Sequence, residues 1–125
     1  GARPRPHEAE AHDRLVAWIS HLPQVLSSAL AGVLVQEGFS VGDLGRGGRD
    51  MTRLSASESR MWLDILITNR EHIAAATEKT IASLASFHQA LTIADEAELQ
   101  RFLHDGAILL SDQLGSINSD NLSKH

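Results

Sequence analysis

Residues 15–26 read LVAWISHLPQVL, and apolar side chains recur at helical spacing on both sides of the middle of this run. Leu15, Trp18, Ile19 and Leu22 come first; Leu26, Ala29, Leu30, Val33 and Leu34 follow. That period predicts one amphipathic helix. Pro23 interrupts it, removing one backbone hydrogen bond and crowding the carbonyl of Ile19 four residues back, at a cost of about 3 kcal/mol in a regular helix. The turn holding Ser20 and His21 is therefore where the helical ladder opens. His21 has two readings at this stage: a core histidine beside a packing kink, or the wall of a polar pocket made of freed backbone groups and an imidazole.

Working outward, the helical pattern extends from about His7 to Glu37 and is closed by Gly38, a residue suited to a helix C-terminus. A helix of that length runs about 45 Å at 1.5 Å per residue. This is more than a chain of 125 residues covers comfortably, so the surplus apolar surface points to a homodimer with a helical interface. Residues 38–49, GFSVGDLGRGGR, hold five of the nine glycines and read as the one long irregular segment. Three capping-box patterns then mark helix starts, at Ser55–Glu58, Thr68–Glu71 and Asp95–Glu98. The first leads into Met61, Trp62, Ile65 and Leu66. The second leads into a stripe of Ile73, Thr77, Thr80, Ile81, Leu84, His88 and Leu91, and the third into Leu99, Phe102, Leu103, Leu109, Leu110 and Leu114. No stretch alternates with period two. The expected fold is all-α, a helical bundle with one long proline-kinked N-terminal helix, dimerising through helices. Residues 1–6 read as a linker remnant, 7–115 as the helical domain and 116–125 as a polar, fraying tail.

Composition narrows the function classes. The chain has no cysteine, which excludes disulfide frameworks and thiolate metal sites. A net charge of −5 argues against a nucleic-acid partner, because phosphate binding needs a basic face. The opening GARPRP shows no apolar core of the kind a signal peptide needs, and no apolar run is expected to approach the roughly 20 residues that cross a bilayer. A cytoplasmic domain without membrane contact is the expectation.

The segment GRGGRDMTR, from Gly45 to Arg53, is the main candidate for chemistry. A dinucleotide fingerprint is absent: Gly45-Arg46-Gly47 supplies half of G-x-G-x-x-G, Asp50 stands where the last glycine belongs, and no strand precedes it. Arg46, Arg49 and Arg53 instead suggest an anion site, since a guanidinium fork holds a carboxylate bidentately. The bland alternative is a solvated loop whose arginines pair with Asp43 and Asp50. Trp62 suits the core, or a pocket wall that offers its N–H. His12-Asp13, with His72 and His104 elsewhere, faintly suggests a metal-dependent phosphohydrolase, although no spacing marks them as ligands.

Together, HDRLVAWISHLP, the later RDMTRLSASESRMWLDI and the following Asn69-Arg70 resemble the C-terminal helical domain of prephenate and arogenate dehydrogenases. The resemblance covers about residues 1–92; it implies an oxidative decarboxylation in tyrosine biosynthesis, with NAD or NADP held by a separate N-terminal nucleotide-binding domain. It further implies a substrate-binding set of Arg53 for a substrate carboxylate, His21 and Ser20 of the Ser-His-x-Pro motif, Asp50 and Thr52 shaping the arginine's turn, and Trp62 at the cleft. Prephenate, arogenate or tyrosine would be the ligand. No catalytic, cofactor-binding or metal-binding residue is expected in this chain, which alone should be inactive. Two positions depart from the family pattern: Gln24 replaces a second histidine, and Gly48 replaces an aromatic. The other function class left open is a stand-alone, non-enzymatic helical dimer module or regulator.

Overall fold

A computed structural model describes the backbone of residues 6–123 and the side chains of residues 6–111. The boundary expected after residue 6 adjoins undescribed residues 1–5. In chain order the helices are α1 (Pro6–Val16), α2 (Leu22–Gln36), α3 (Arg46–Thr52), α4 (Ser59–Thr68), α5 (Arg70–Thr92) and α6 (Glu96–Ser123). No strand occurs among the described residues, so the all-α expectation holds. The chain forms two compact units, Gly1–Lys79 and Thr80–His125, with the boundary inside α5.

The proline leaves a definite mark. Between α1 and α2 lies a π-helical turn, Ala17–His21, closed by the Leu22 N–H donating to the Ala17 carbonyl. The widened turn ends just ahead of Pro23, which stands in the first turn of α2, where a missing N–H and a fixed φ are tolerated. The uncharged run between Arg14 and Glu37 corrects the expectation about apolar length alone. Pro6–Gln36 forms one 31-residue helical stretch with an 18-residue window of mean hydropathy 1.3, long and apolar enough to cross a bilayer by length and composition alone. Its scattered serines, His21 and Gln24 masked that length in the sequence.

Gly38 ends α2 as anticipated. It lies at φ +88°, while its N–H donates to Val35 and that of Phe39 to Leu34, a paired closure that requires the left-handed region. The same device ends α5, with Ala94 at φ 55° and hydrogen bonds from Ala94 to Leu91 and from Asp95 to Ala90. There the residue is an alanine, whose Cβ makes that conformation costly.

Residues 38–49 are less irregular than expected. Ser40 and Asp43 form a reciprocal capping box on a 3₁₀ turn, Val41–Asp43, and Arg46 already opens α3. Of the anticipated boxes, the third is supported by the Glu98 N–H donating to Asp95 Oδ1 at 3.2 Å. The first two are not formed. Ser55 lies in a 3₁₀ turn, Arg53–Ala56, and its hydroxyl donates to Thr52 O at 2.6 Å, so α4 begins after Glu58 without a side-chain cap. The Thr68 pattern falls where α4 gives way at Asn69 to α5.

Among the described residues the buried apolar ones are Ala17, Leu22, Ile73, Ala76 and Ala90, and no large side chain is fully enclosed. Trp18 stays 39% exposed, with Lys79 Nζ 5.8 Å from its ring centroid. In the second unit Phe87 and Phe102 stack at 4.8 Å. Leu84, Leu91 and Leu109 remain 54%, 55% and 84% exposed, so much of the stripe read from the sequence faces outward in the single chain.

Candidate functional site

The arginine-rich segment is organised by hydrogen bonds that close α3 and fold the chain back. Thr52 Oγ1 donates to Gly48 O at 2.8 Å, within the last turn of the helix. Arg53 then opens the 3₁₀ turn Arg53–Ala56. Leu54 O accepts from the Ser57 hydroxyl and from Gln24 Nε2, both at 2.8 Å. Gln24 is only 7% exposed, and its Oε1 accepts from Ser57 Oγ at 3.4 Å. Its amide thus ties α2 to the turn that carries Arg53.

Beside that turn is a cavity of about 570 Å³ whose lining includes Leu34, Val35, Phe39, Asp50, Thr52 and Arg53. Apolar walls and a guanidinium at the edge suit a ligand with a carboxylate on a hydrophobic body. Arg53 is exposed, and no ion pair links Arg46, Arg49 or Arg53 to Asp43 or Asp50. All three arginines are solvent-exposed, as the loop alternative expects, and only the pairing it expected is absent. Asp43 instead accepts from Ser40 N at 2.8 Å and Ser40 Oγ at 3.1 Å. Those bonds, the backbone one foremost, hold its carboxyl below the usual carboxylate range. Arg49 Nε donates to Leu44 O at 3.2 Å, and Arg49 lines the same cavity as Arg53.

The second cluster centres on His21. Its ring packs edge-on against Trp62, with centroids 5.8 Å apart at 87°. Asn69, 9% exposed, extends its Nδ2 to Asp13 O at 2.8 Å and to His21 Nδ1 at 3.2 Å. Trp62 lines a smaller hollow of about 320 Å³ together with Gln24, Ser55 and Ser57. Ser55 lines both hollows, so they share a wall.

The anticipated residues therefore divide. Arg53, Asp50 and Thr52 meet at the larger cavity, and Trp62 lines the smaller. His21 contacts Trp62 but lines neither, while Ser20 is exposed on the π turn. The orienting role of Asn69 and the bridging role of Gln24 are not readable from the sequence. An asparagine just ahead of a helix reads as a cap, and nothing local reveals a partner 48 or 56 positions away. Among the described residues no three His, Asp or Glu side chains converge to hold a metal ion.

Residues 8–105 match the family model for the prephenate dehydrogenase dimerization domain. The chain belongs to that family. Similar to this dimerization domain are the prephenate dehydrogenase of Lactococcus lactis subsp. cremoris, 29% identical over 103 residues (79% of this chain, 29% of that protein), and the cyclohexadienyl dehydrogenase of Zymomonas mobilis, 32% identical over 104 residues (76% and 34%). Among solved structures, the prephenate dehydrogenase of A. aeolicus in complex with hydroxyphenyl propionate and NAD+ superposes with a TM-score of 0.74 at 29% identity, covering 82% of this chain and 37% of that one. The Synechocystis arogenate dehydrogenase gives 0.65 at 25% identity, covering 76% and 36%. The dimerization domain thus spans about a third of the length of these relatives.

Proposed function

We propose that this chain is the dimerising and substrate-binding part of a prephenate or arogenate dehydrogenase, acting in tyrosine biosynthesis in the cytoplasm. Family membership supports the dehydrogenase reading. The observation that carries the binding role is Arg53, exposed and without an ion pair at the edge of an apolar cavity. In this reading Arg53 holds a substrate carboxylate, Asp50 and Thr52 shape its turn, and His21, Ser20 and Trp62 contribute to the cleft wall. The substrate-binding set then belongs to an assembly larger than one chain, because the hollows divide these residues. Exposed Leu84, Leu91 and Leu109 favour a homodimer built through helices.

The oxidative step of such an enzyme uses NAD or NADP. The described residues offer no strand, glycine-rich turn and helix in succession to cradle a dinucleotide. Cofactor binding is assigned to a separate nucleotide-binding domain. A non-enzymatic dimer module, favoured by the same exposed apolar faces, is the second reading. It predicts dimerisation without ligand-induced stabilisation.

The test is calorimetry with 3-(4-hydroxyphenyl)propionate, an aromatic carboxylate, on the wild type and Arg53→Ala. A charge-assisted contact contributes about 1.5–3 kcal/mol, so affinity should fall roughly 10-fold to 150-fold. Equal affinities would remove Arg53 from the site, and absence of binding by the wild type would favour the dimer module.

A further inference from the structure

The two hydrogen bonds of Asn69 determine which nitrogen of His21 carries the proton. Asp13 O is a main-chain carbonyl and can only accept. The amide atom 2.8 Å from it must therefore be the NH2 group, since the opposite flip would set two acceptors against each other. That same NH2 has two hydrogens, and the second lies toward His21 Nδ1 at 3.2 Å. A nitrogen facing a donor must offer its lone pair, so neutral His21 bears its proton on Nε2. We propose that Asn69 is a positioning residue that locks His21 as the Nε2–H tautomer, making its free nitrogen a hydrogen-bond donor to an acceptor atom of the ligand, such as a carboxylate or carbonyl oxygen.

The surrounding packing supports a fixed ring. Trp62 abuts it edge-on, and Asn69 is 9% exposed, so water does not readily replace its contacts. The carbonyl that orients Asn69 belongs to α1, across the π turn from His21. Fixing the tautomer thus requires α1, the π turn and the start of α5 at once. The tautomer rests on geometry alone; its use toward a ligand rests on the substrate-binding reading above.

The experiment is 15N NMR of the histidine-labelled chain at pH 8.5, with the His21 signals assigned by their loss in His21→Gln. The expected wild-type pattern is an imine-type Nδ1 and an amine-type Nε2. A protonated Nδ1, or an exchange average of both tautomers, would overturn the proposal without any further variant. In Asn69→Asp the carboxylate accepts, and the expected pattern reverses to Nδ1–H. In Asn69→Leu the lock is lost and the signals should average; an unchanged single tautomer in Asn69→Leu would show that Asn69 does not set it. Adding 3-(4-hydroxyphenyl)propionate should shift Nε2 and its proton with the tautomer unchanged. Binding that perturbs Arg53 but leaves His21 Nε2 untouched would overturn the donor role alone. Binding at neither residue would overturn that role and the substrate-binding reading together, while the tautomer would stand.

Discussion

Gln24→Leu isolates the link between α2 and the arginine's turn. The substitution preserves most of the side-chain volume and replaces an amide with two methyl groups. It removes the 2.8 Å bond from Nε2 to Leu54 O and the weak 3.4 Å bond from Ser57 Oγ to Oε1. Neither loss strands a buried partner. Leu54 O still accepts from Ser57 N at 3.1 Å and from Ser57 Oγ at 2.8 Å, and the Ser57 hydroxyl is donating in that second bond. The cost should therefore be the net worth of about one hydrogen bond, roughly 0.5–1.5 kcal/mol, rather than the larger penalty of an orphaned polar group. Urea denaturation at equal chain concentration would measure it, because any dimer makes stability depend on concentration. Affinity for 3-(4-hydroxyphenyl)propionate should fall by less than in Arg53→Ala, since the guanidinium remains on a looser turn. An unchanged denaturation midpoint, or a loss above about 3 kcal/mol, would refute this account of the bridge. So would a loss of affinity equal to that of Arg53→Ala.

Other perturbations test separate links. Pro23→Ala restores an N–H and removes the ring that crowds Ile19 O; the π turn should tighten toward regular helix and ligand affinity should drop more than stability. A variant that binds normally yet denatures early would assign Pro23 to packing alone. Ala94→Gly relieves a left-handed alanine at φ 55°. Because glycine also loses more freedom on folding, the net gain should be up to about 1 kcal/mol by urea denaturation, and a loss would contradict it. Asp43 has a folded-state pKa below its reference of 3.8, owing first to the Ser40 N–H and then to the Ser40 hydroxyl. Its contribution to the turn is present above that reference and is lost as pH falls through the lower folded value. The Ser40 amide resonance should accordingly titrate with a midpoint below 3.8, and a midpoint at or above it would disprove the capping box.

Much of the helical order was legible because it is local. The periodic runs, the Gly38 terminus and Asp95 at the start of α6 each depend on neighbours within a few residues. The wrong capping boxes at Ser55 and Thr68 fail for the converse reason. Ser55 serves a 3₁₀ turn, and Asn69 is recruited by α1, so distant or competing partners outweighed a short pattern. The glycine segment reads as irregular because glycine disfavours helices, yet Ser40-x-x-Asp43 spells a capping box within it. In the site, residue types were readable and their grouping was not. Arg53, Asp50 and Thr52 are close in sequence and meet. His21 and Trp62 also meet, but the asparagine that orients His21 could be found only once the chain was folded.

The π turn has a consequence for insertions and deletions. A turn closed by five residues instead of four is equivalent to one extra residue slipped into a helix. Deleting any single residue from Ala17–His21 would allow regular helical spacing to resume with α1 and α2 close to their present phase, because the wide turn already absorbs the extra residue. Asp13 would stay near Asn69, whereas the same deletion in the regular helix on either side would turn α1 by about 100° and swing it away. Single-residue gaps within this turn in related chains should therefore spare the contact spanning 56 positions but return Pro23 to a regular helix, and so go with loss of the proline.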